Sequence, residues 1–281
     1  MNKSIKMEEF DPKKKEQPQQ TQPEPAKEAP KKESPPVDDG MYVTITDLPT
    51  KGNFYPEGTK IQARSLKVME VKHLSQLTAE NANDVINDVL RKTIRGIEVD
   101  ELFTADKMYL VFWLRANTYK DSGYQVNFNC MKCNKPSTFN FELDSLKIQD
   151  YEVERYGKFT SEVRLPSGHT LTFKLLRVKD EDLNERFLKQ NENSMMDFDK
   201  EIVSLCRMIE TVDGKEPGMI EKYSFVTNSL EPADFAYIQS FVEDCGIGVE
   251  PTIDVKCNKC GGSTETVLPF RPDFFLPKVQ T

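Results

Sequence analysis

The stretch VKCNKCGG, residues 255–262, places two cysteines three positions apart, immediately before a pair of glycines. A second pair with the same spacing, Cys130 and Cys133, lies in NCMKCNK, residues 129–135. Alternating polar and apolar residues flank each pair, which predicts a strand, a tight turn and a strand at both places. Two such hairpins that face each other would present four sulfur atoms to one ion. Four cysteines are a usual ligand set of structural zinc.

We call the two cysteine turns, residues 130–135 and 257–262, the knuckles. In a turn whose amides point at the sulfurs, the residue after the second cysteine commonly has a positive φ, which suits glycine or asparagine. The sequence has Asn134 after Cys133 and Gly261 after Cys260. Both residues therefore fit the predicted turn.

Neither the negative charge of four thiolates nor the long separation of the two cysteine pairs rules out this site. Four thiolates around Zn²⁺ leave a formal charge of −2, which four lysines within or beside the pairs would offset: Lys132, Lys135, Lys256 and Lys259. The 123 residues between Cys133 and Cys257 do not forbid closure, because the entropic cost rises by only about 0.6 kcal/mol per doubling of a loop. Structural zinc contributes roughly 10 kcal/mol or more at neutral pH. The predicted cofactor is one structural zinc ion per chain, held by Cys130, Cys133, Cys257 and Cys260.

Other interpretations of the cysteine pairs stay open. Iron bound by four cysteines uses the same ligands. A redox CxxC motif is disfavoured because it normally opens a helix beside a βαβ unit, whereas strands flank both pairs here. Unmetallated thiols in a hairpin are the plainest alternative. Catalytic zinc requires an open coordination position, which four cysteines do not leave.

Composition excludes several classes of protein. The chain has 281 residues, 37% hydrophobic and 30% charged, with a net charge of −8. That charge argues against general binding to nucleic acid or anionic membrane. No segment approaches the roughly 20 apolar residues of a membrane span, and the N-terminus lacks the apolar core of a secretory signal. We therefore expect a protein of the reducing cytosol, where paired cysteines bind metal more often than they form disulfides.

The sequence divides into an arm and a body. Residues 1–40 are rich in Pro, Lys and Glu, with seven prolines between residues 11 and 40, and too few apolar side chains to offset the entropy of ordering. We predict a disordered arm at 1–40, a β-hairpin with a helical region at 41–120, and an α+β region at 121–281 that carries both knuckles. The last two are expected to form one continuous fold.

The periodicity of apolar residues predicts both helices and hairpins in the body. Hairpin strands are predicted around 41–45 and 61–66, around each knuckle, and on both sides of the turn at 166–168. Helices are predicted at 68–77, 81–97, 105–119, 181–189, 199–212 and 231–244. The expected fold class is α+β: a helical body with short β-hairpins and a split zinc-ribbon-like four-cysteine site.

The remaining reactive residues form no recognisable catalytic set. Cys206 and Cys245 fall among apolar helix positions and are predicted to be buried. His73 and His169 have no Ser, Cys or carboxylate partner at a readable spacing. No phosphate-binding loop or dinucleotide glycine pattern occurs.

Several stretches, in order, resemble the baseplate proteins of T4-like contractile-tailed bacteriophages, a family that includes the baseplate hub subunit and a hub assembly factor. The similar stretches are LPTKGNFYPEGTKIQARSL (48–66), LFTADKMYLVFWLRANTYKDSGYQVNFNCMKC (102–133), SLEPADFAYIQSFVEDCGIGVEPTIDVKCNKCGG (229–262) and LPFRPDFFLP (268–277). Lys120 and Asp121 replace a glycine expected after Tyr119, and Asn134 replaces another. The arm has no counterpart in the family.

The resemblance implies a structural or assembly protein of a baseplate hub, without catalysis, in the virion or in the host cytoplasm during assembly. Its expected partners are other baseplate hub or tail proteins, with no small-molecule substrate, nucleic acid or membrane insertion. Arg115, Tyr119, Phe274 and Phe275 would be interface or packing residues, with ordinary core as the alternative for the two phenylalanines.

Two other classes of function stay open. One is a zinc-ribbon module that binds nucleic acid or a polymerase, which would need a basic face. The other is a thiol oxidoreductase, which would need reactive cysteine pairs.

Overall fold

The computed structural model describes most of the chain after the predicted arm. The described residues are 41–78, 80–119, 123–142, 145–194, 197–250, 252–268 and 272–276. The arm at 1–40 and the substituted positions Lys120 and Asp121 lie outside them. The division predicted at residue 120 stays a prediction.

The elements are short strands interleaved with helices. The strands are β1 (Val43–Thr44), β2 (Gln62–Ala63), β3 (Ile94–Arg95), β4 (Tyr124–Asn129), β5 (Pro136–Phe141), β6 (Ile148–Gln149), β7 (Val163–Arg164), β8 (Thr170–Phe173), β9 (Ile209–Val212), β10 (Gly248–Val249), β11 (Thr252–Lys256) and β12 (Ser263–Val267). The helices are α1 (Val68–Leu74), α2 (Ala82–Thr93), α3 (Thr104–Thr118), α4 (Val153–Thr160), α5 (Val178–Gln190), α6 (Lys200–Met208), α7 (Met219–Ser224), α8 (Pro232–Cys245) and α9 (Pro272–Phe275). A 3₁₀ turn covers Val99–Glu101, and a π-helical turn covers Phe225–Ser229.

These elements confirm the α+β class. All strand pairs are antiparallel, in the three-stranded sheets β1-β2-β3 and β7-β8-β9 and in the pairs β4-β5, β6-β10 and β11-β12. Two helix predictions are wrong at their ends. The helix predicted over 81–97 ends at Thr93, and Ile94–Arg95 becomes β3, because its backbone pairs with β2. The helix predicted over 199–212 stops at Met208, and Ile209–Val212 becomes β9, because its backbone pairs with β8. Among the described residues, no helix combines the length and the apolar character needed to cross a membrane.

The first of two hydrophobic cores surrounds α3. It contains buried residues of α1, α2, β2 and β3, together with inward-facing residues of both cysteine hairpins and the two phenylalanines of α9. In the hairpins the inward positions alternate along each strand, as at Tyr124 and Val126 of β4 and at Ile253 and Val255 of β11. This alternation is why a period of two in the sequence predicted these strands correctly.

The second core lies among α4 to α8 and the sheet β7-β8-β9. Its buried centre includes Phe159, Leu171 and Ile238. The segment before α3 joins it to the first core: the amide N–H of Thr104 donates to the carbonyl of Leu176 at 3.0 Å, and that of Val178 to Leu102 at 2.9 Å. The chain thus builds the second core between β6 and β10 and then returns to the first.

Candidate metal centre

The two knuckles have the same backbone hydrogen bonds. In the first, the Cys130 N–H donates to the Lys135 carbonyl at 3.1 Å and the Asn134 N–H to the Cys130 carbonyl at 2.8 Å. In the second, the Cys257 N–H donates to Gly262 at 2.9 Å and the Gly261 N–H to Cys257 at 2.9 Å. Both turns close the ends of regular antiparallel hairpins, β4-β5 and β11-β12. The strand registers therefore place each cysteine pair.

The predicted positive φ angles are confirmed. Asn134 has φ +53° and Gly261 has φ +68°. Asparagine is one of the few side chains that adopt this left-handed region readily. Asn134 is therefore compatible with the turn.

Polar side chains tie one knuckle to the other. The Ser137 hydroxyl donates to Asn258 Oδ1 at 2.8 Å and accepts the Asn258 N–H at 3.0 Å. The Met131 N–H donates to Thr264 Oγ1 at 3.2 Å. A Cβ on Gly262 would lie only 3.0 Å from Lys132 Cβ, so the second glycine of the CGG stretch permits this close approach. No sequence pattern indicated Ser137, Asn258 and Thr264, because only the three-dimensional pairing of the hairpins reveals their role.

The four sulfur atoms form a compact group, all within 4.8 Å of one another. Cys130 Sγ lies 3.6 Å from Cys260 Sγ, and Cys133 Sγ lies 3.8 Å from Cys257 Sγ, so each close pair joins the two knuckles. A Zn–S bond of about 2.3 Å implies S···S edges of about 3.8 Å in a tetrahedral site. A disulfide needs about 2.05 Å, and all four cysteines are free. The spacing fits a metal ion that touches all four sulfurs.

Electrostatics also favour a cation at this position. The N–H of Lys259, 3.4 Å from the sulfur, is the main cause that lowers the pKa of Cys257, to about 6. The pKa of Cys260 is raised to about 11: the N–H of Gly262 lowers it, but burial and the three neighbouring sulfurs outweigh that effect. The pKa of Cys130 is also lowered, chiefly by the N–H of Cys133, so two thiols ionise more easily than usual while the neighbouring sulfurs oppose ionisation of Cys260. A divalent cation would remove that opposition.

The other predicted site residues lie around α9. Phe274 and Phe275 are each 1% exposed, and Arg115 is fully buried. Arg115 Nε donates to the Phe274 carbonyl at 2.5 Å, and its guanidinium lies 4.8 Å from the ring centre of half-buried Tyr119. Burial lowers the pKa of Arg115, and its two Nη atoms have no hydrogen-bond partner among the described residues. This placement favours the core alternative for the two phenylalanines, while an interface role for the four residues stays a prediction.

The remaining cysteines and histidines lie away from the knuckles. Cys206 and Cys245 are buried as predicted, and burial raises the pKa of Cys206 to about 12. His169 Nδ1 lies 2.8 Å from Asp213 Oδ2, a partner 44 residues away that no spacing rule could have indicated. Among the described residues, the four knuckle cysteines are the only group of His, Cys, Asp or Glu arranged to hold a metal.

Comparison with known proteins identifies the family to which the chain belongs. The family model described as T4 bacteriophage base plate protein matches residues 41–276, from the first described residue to the last. No curated protein and no solved structure matches the chain. The matched range includes both knuckles, the buried helix α3 and the phenylalanine pair of α9. The chain therefore belongs to the family of T4 bacteriophage base plate proteins.

Proposed function

We propose that this chain is a non-catalytic structural or assembly protein of the phage baseplate hub, and that one structural zinc ion joins its two cysteine hairpins. The match to the baseplate family across residues 41–276 carries the proposal. Its partners are other hub or tail proteins, and its place is the tail baseplate of the virion or, during assembly, the host cytoplasm.

The knuckle geometry supports the zinc. Sulfur separations of 3.6 and 3.8 Å agree with a zinc tetrahedron, and both pairs of ligands come from rigid hairpin turns. Four sulfur ligands leave no open position for water or substrate, so the ion stabilises the fold instead of catalysing a reaction. Iron in the same four-sulfur site is the alternative, and elemental analysis distinguishes it from zinc.

Quantitative peptide mass spectrometry tests the hub assignment. Density-gradient-purified particles of the phage that encodes the chain are compared with the soluble lysate of infected cells. A few copies per particle indicate a built-in hub component, whereas abundance in baseplate intermediates alone indicates an assembly factor. Absence from both particles and baseplate intermediates would overturn the proposal.

Elemental analysis tests the metal. Protein purified without chelators should contain close to one zinc per chain, and Cys257→Ser should lower both the zinc content and the melting temperature. Cys206→Ala is the control for zinc content, because it removes a cysteine that lies outside the knuckles; its melting temperature is not compared, since Cys206 is fully buried in the second core. Stoichiometric iron with its thiolate absorption bands would replace zinc, and a Cys257→Ser protein with unchanged metal and melting would refute the four-sulfur site.

A further inference from the structure

The outer face of the knuckles carries a concentrated positive charge. Lys132, Lys135 and Lys259 lie within the two knuckles, Lys256 directly precedes the second, and all four are exposed. The two knuckles contain no aspartate or glutamate, and the nearest acidic residues of the second hairpin are the exposed, paired Asp254 and Glu265, whereas the whole chain has a net charge of −8. The positive patch is therefore a local departure from the charge of the chain.

These four lysines lack the carboxylate partner that some lysines of the described chain have. Lys107, Lys174 and Lys179 each form an ion pair with a carboxylate. By contrast, no ion pair joins any of the four knuckle lysines to an acidic group within the described part of the chain. Their ammonium groups are available to an external anion.

An apolar side chain stands among these charges. Met131, at the tip of the first knuckle, is 84% exposed. Its backbone N–H is fixed by Thr264 Oγ1, so the turn presents the side chain outward in a defined position. Methionine is enriched at protein interfaces because its flexible thioether adapts to a partner's surface. Met131 and the four lysines together define what we call the knuckle surface.

We propose that the knuckle surface binds an acidic segment of another baseplate protein, with carboxylates against the lysines and an apolar side chain against Met131. The proposal rests on the proposed function for the identity of the partner. Charge complementarity supports it, since even after four thiolates and Zn²⁺ contribute −2, the four lysines leave the knuckles net positive. A protein is favoured over nucleic acid because neither knuckle stretch contains an aromatic residue on which bases could stack.

Carbodiimide cross-linking tests the surface without any mutation. This reagent joins an amine directly to a carboxylate in contact with it, so isolated baseplates or their assembly intermediates report the partner by mass spectrometry. We expect cross-links from the knuckle lysines to aspartate or glutamate residues of a different tail protein. Cross-links from other lysines of this chain, with none from the four, would overturn the proposal.

Purified zinc-loaded full-length protein provides the second test. The probe is a fluorescein-labelled peptide of repeated Glu-Glu-Leu, compared by anisotropy with its Gln-Gln-Leu counterpart and with single-stranded DNA. K132E/K259E should weaken binding of the acidic peptide about tenfold or more. The matched control K72E/K158E, which makes the same change in net charge at two exposed lysines elsewhere, should leave it nearly unchanged.

Zinc content is measured for each variant, because lysines that served only to offset the thiolate charge would affect metal retention and not peptide binding. If K132E/K259E loses zinc, its weaker peptide binding is not informative, and Met131→Ser is used instead. This variant should retain the metal and still weaken peptide binding several-fold. Equal binding of the acidic and neutral peptides, or tighter binding of DNA, would overturn the proposal. The presence of the chain in baseplates would still stand in that case, so the two failures are distinguishable.

Discussion

Replacing Phe275 by alanine tests whether α9 belongs to the core or serves as a docking element. Phe275 is 1% exposed and lines a small apolar cleft with Leu74, Leu90, Val111 and Leu114, among others. Its ring also packs edge-on against Phe274, with centroids 4.8 Å apart. A helix of only four residues has little stability of its own, so these side chains hold it in place.

The expected loss is large. Deleting a fully buried phenylalanine side chain costs about 3–5 kcal/mol, from lost apolar burial and from the cavity left behind. Since domains are stable by only about 5–15 kcal/mol, this removes a substantial fraction of the total. With a urea dependence of about 1–3 kcal/mol per molar, the unfolding midpoint should fall by about 1 M or more.

Urea unfolding followed by circular dichroism measures this shift. Leu276→Ala is the matched control: the neighbouring residue is 41% exposed, so its midpoint should move little. Phe275→Leu should lie between the wild type and the alanine variant, because it keeps part of the apolar volume. An unchanged midpoint for Phe275→Ala, together with loss of assembly into baseplates, would refute the core assignment and establish the interface role.

Three further measurements concern other parts of the fold. Glu70→Gln should cost about 3 kcal/mol in urea unfolding, since it breaks a buried ion pair of 2.9 Å with Arg64. Burial opposes ionisation of Glu70, but hydrogen bonds led by Arg64 keep its pKa below the ordinary 4.5. The stabilisation from the ionised carboxylate is therefore complete above pH 4.5 and disappears as the pH falls through the lower pKa of the folded state. A wild type no more sensitive to acid than the Glu70→Gln variant would contradict this. Gly261→Ala should destabilise the protein by about 1–2 kcal/mol and weaken zinc retention, because alanine is strained at the positive φ of this position. Steric clash does not contribute, since a Cβ there meets no atom within 4 Å. Unchanged melting and zinc content would show that the positive φ is not required. Chelation should accelerate hydrogen exchange at the N–H groups of Cys130 and Cys257 while the second core stays protected, and equal acceleration in both would contradict a local role for the metal.

The sequence predicted the elements whose signals are local. Alternation along β4, β5 and β11 and helical periodicity along α1 and α2 were sufficient, because each of these elements buries one face against the first core. Helix α3, which this core surrounds, was indicated instead by its nearly continuous apolar residues. The cysteine spacing and the residues Asn134 and Gly261 likewise specified the knuckles, since the constraint on φ acts within a single turn. For the candidate metal centre, the ligand set could therefore be predicted before its geometry was known.

Elements fixed by distant partners could not be predicted in the same way. The β-branched residues of Ile209–Val212 favour a strand, but the apolar spacing of the preceding helix continues to Ile209. The segment is a strand, β9, because its backbone pairs with β8. β6 and β10 contain two residues each and, within the described part of the chain, pair with each other alone. The hydrogen bonds between Ser137 and Asn258 span 121 residues. In each case the deciding interaction joins segments that no local pattern relates.

The path of the chain reduces the entropic cost of bringing the two knuckles together at the metal centre. The second core is built between the two halves of the site, and its ends are brought together when Gly248 pairs with Gln149 and Val249 with Ile148. This pairing lies only a few residues from each cysteine hairpin, so folding of the second core already places the two knuckles near each other. The closure cost that remains is that of short segments, not of 123 residues. Most of the binding free energy of a metal would therefore act locally, by fixing the two hairpins to each other and to the first core, and by ordering the knuckle surface that we propose as the docking site.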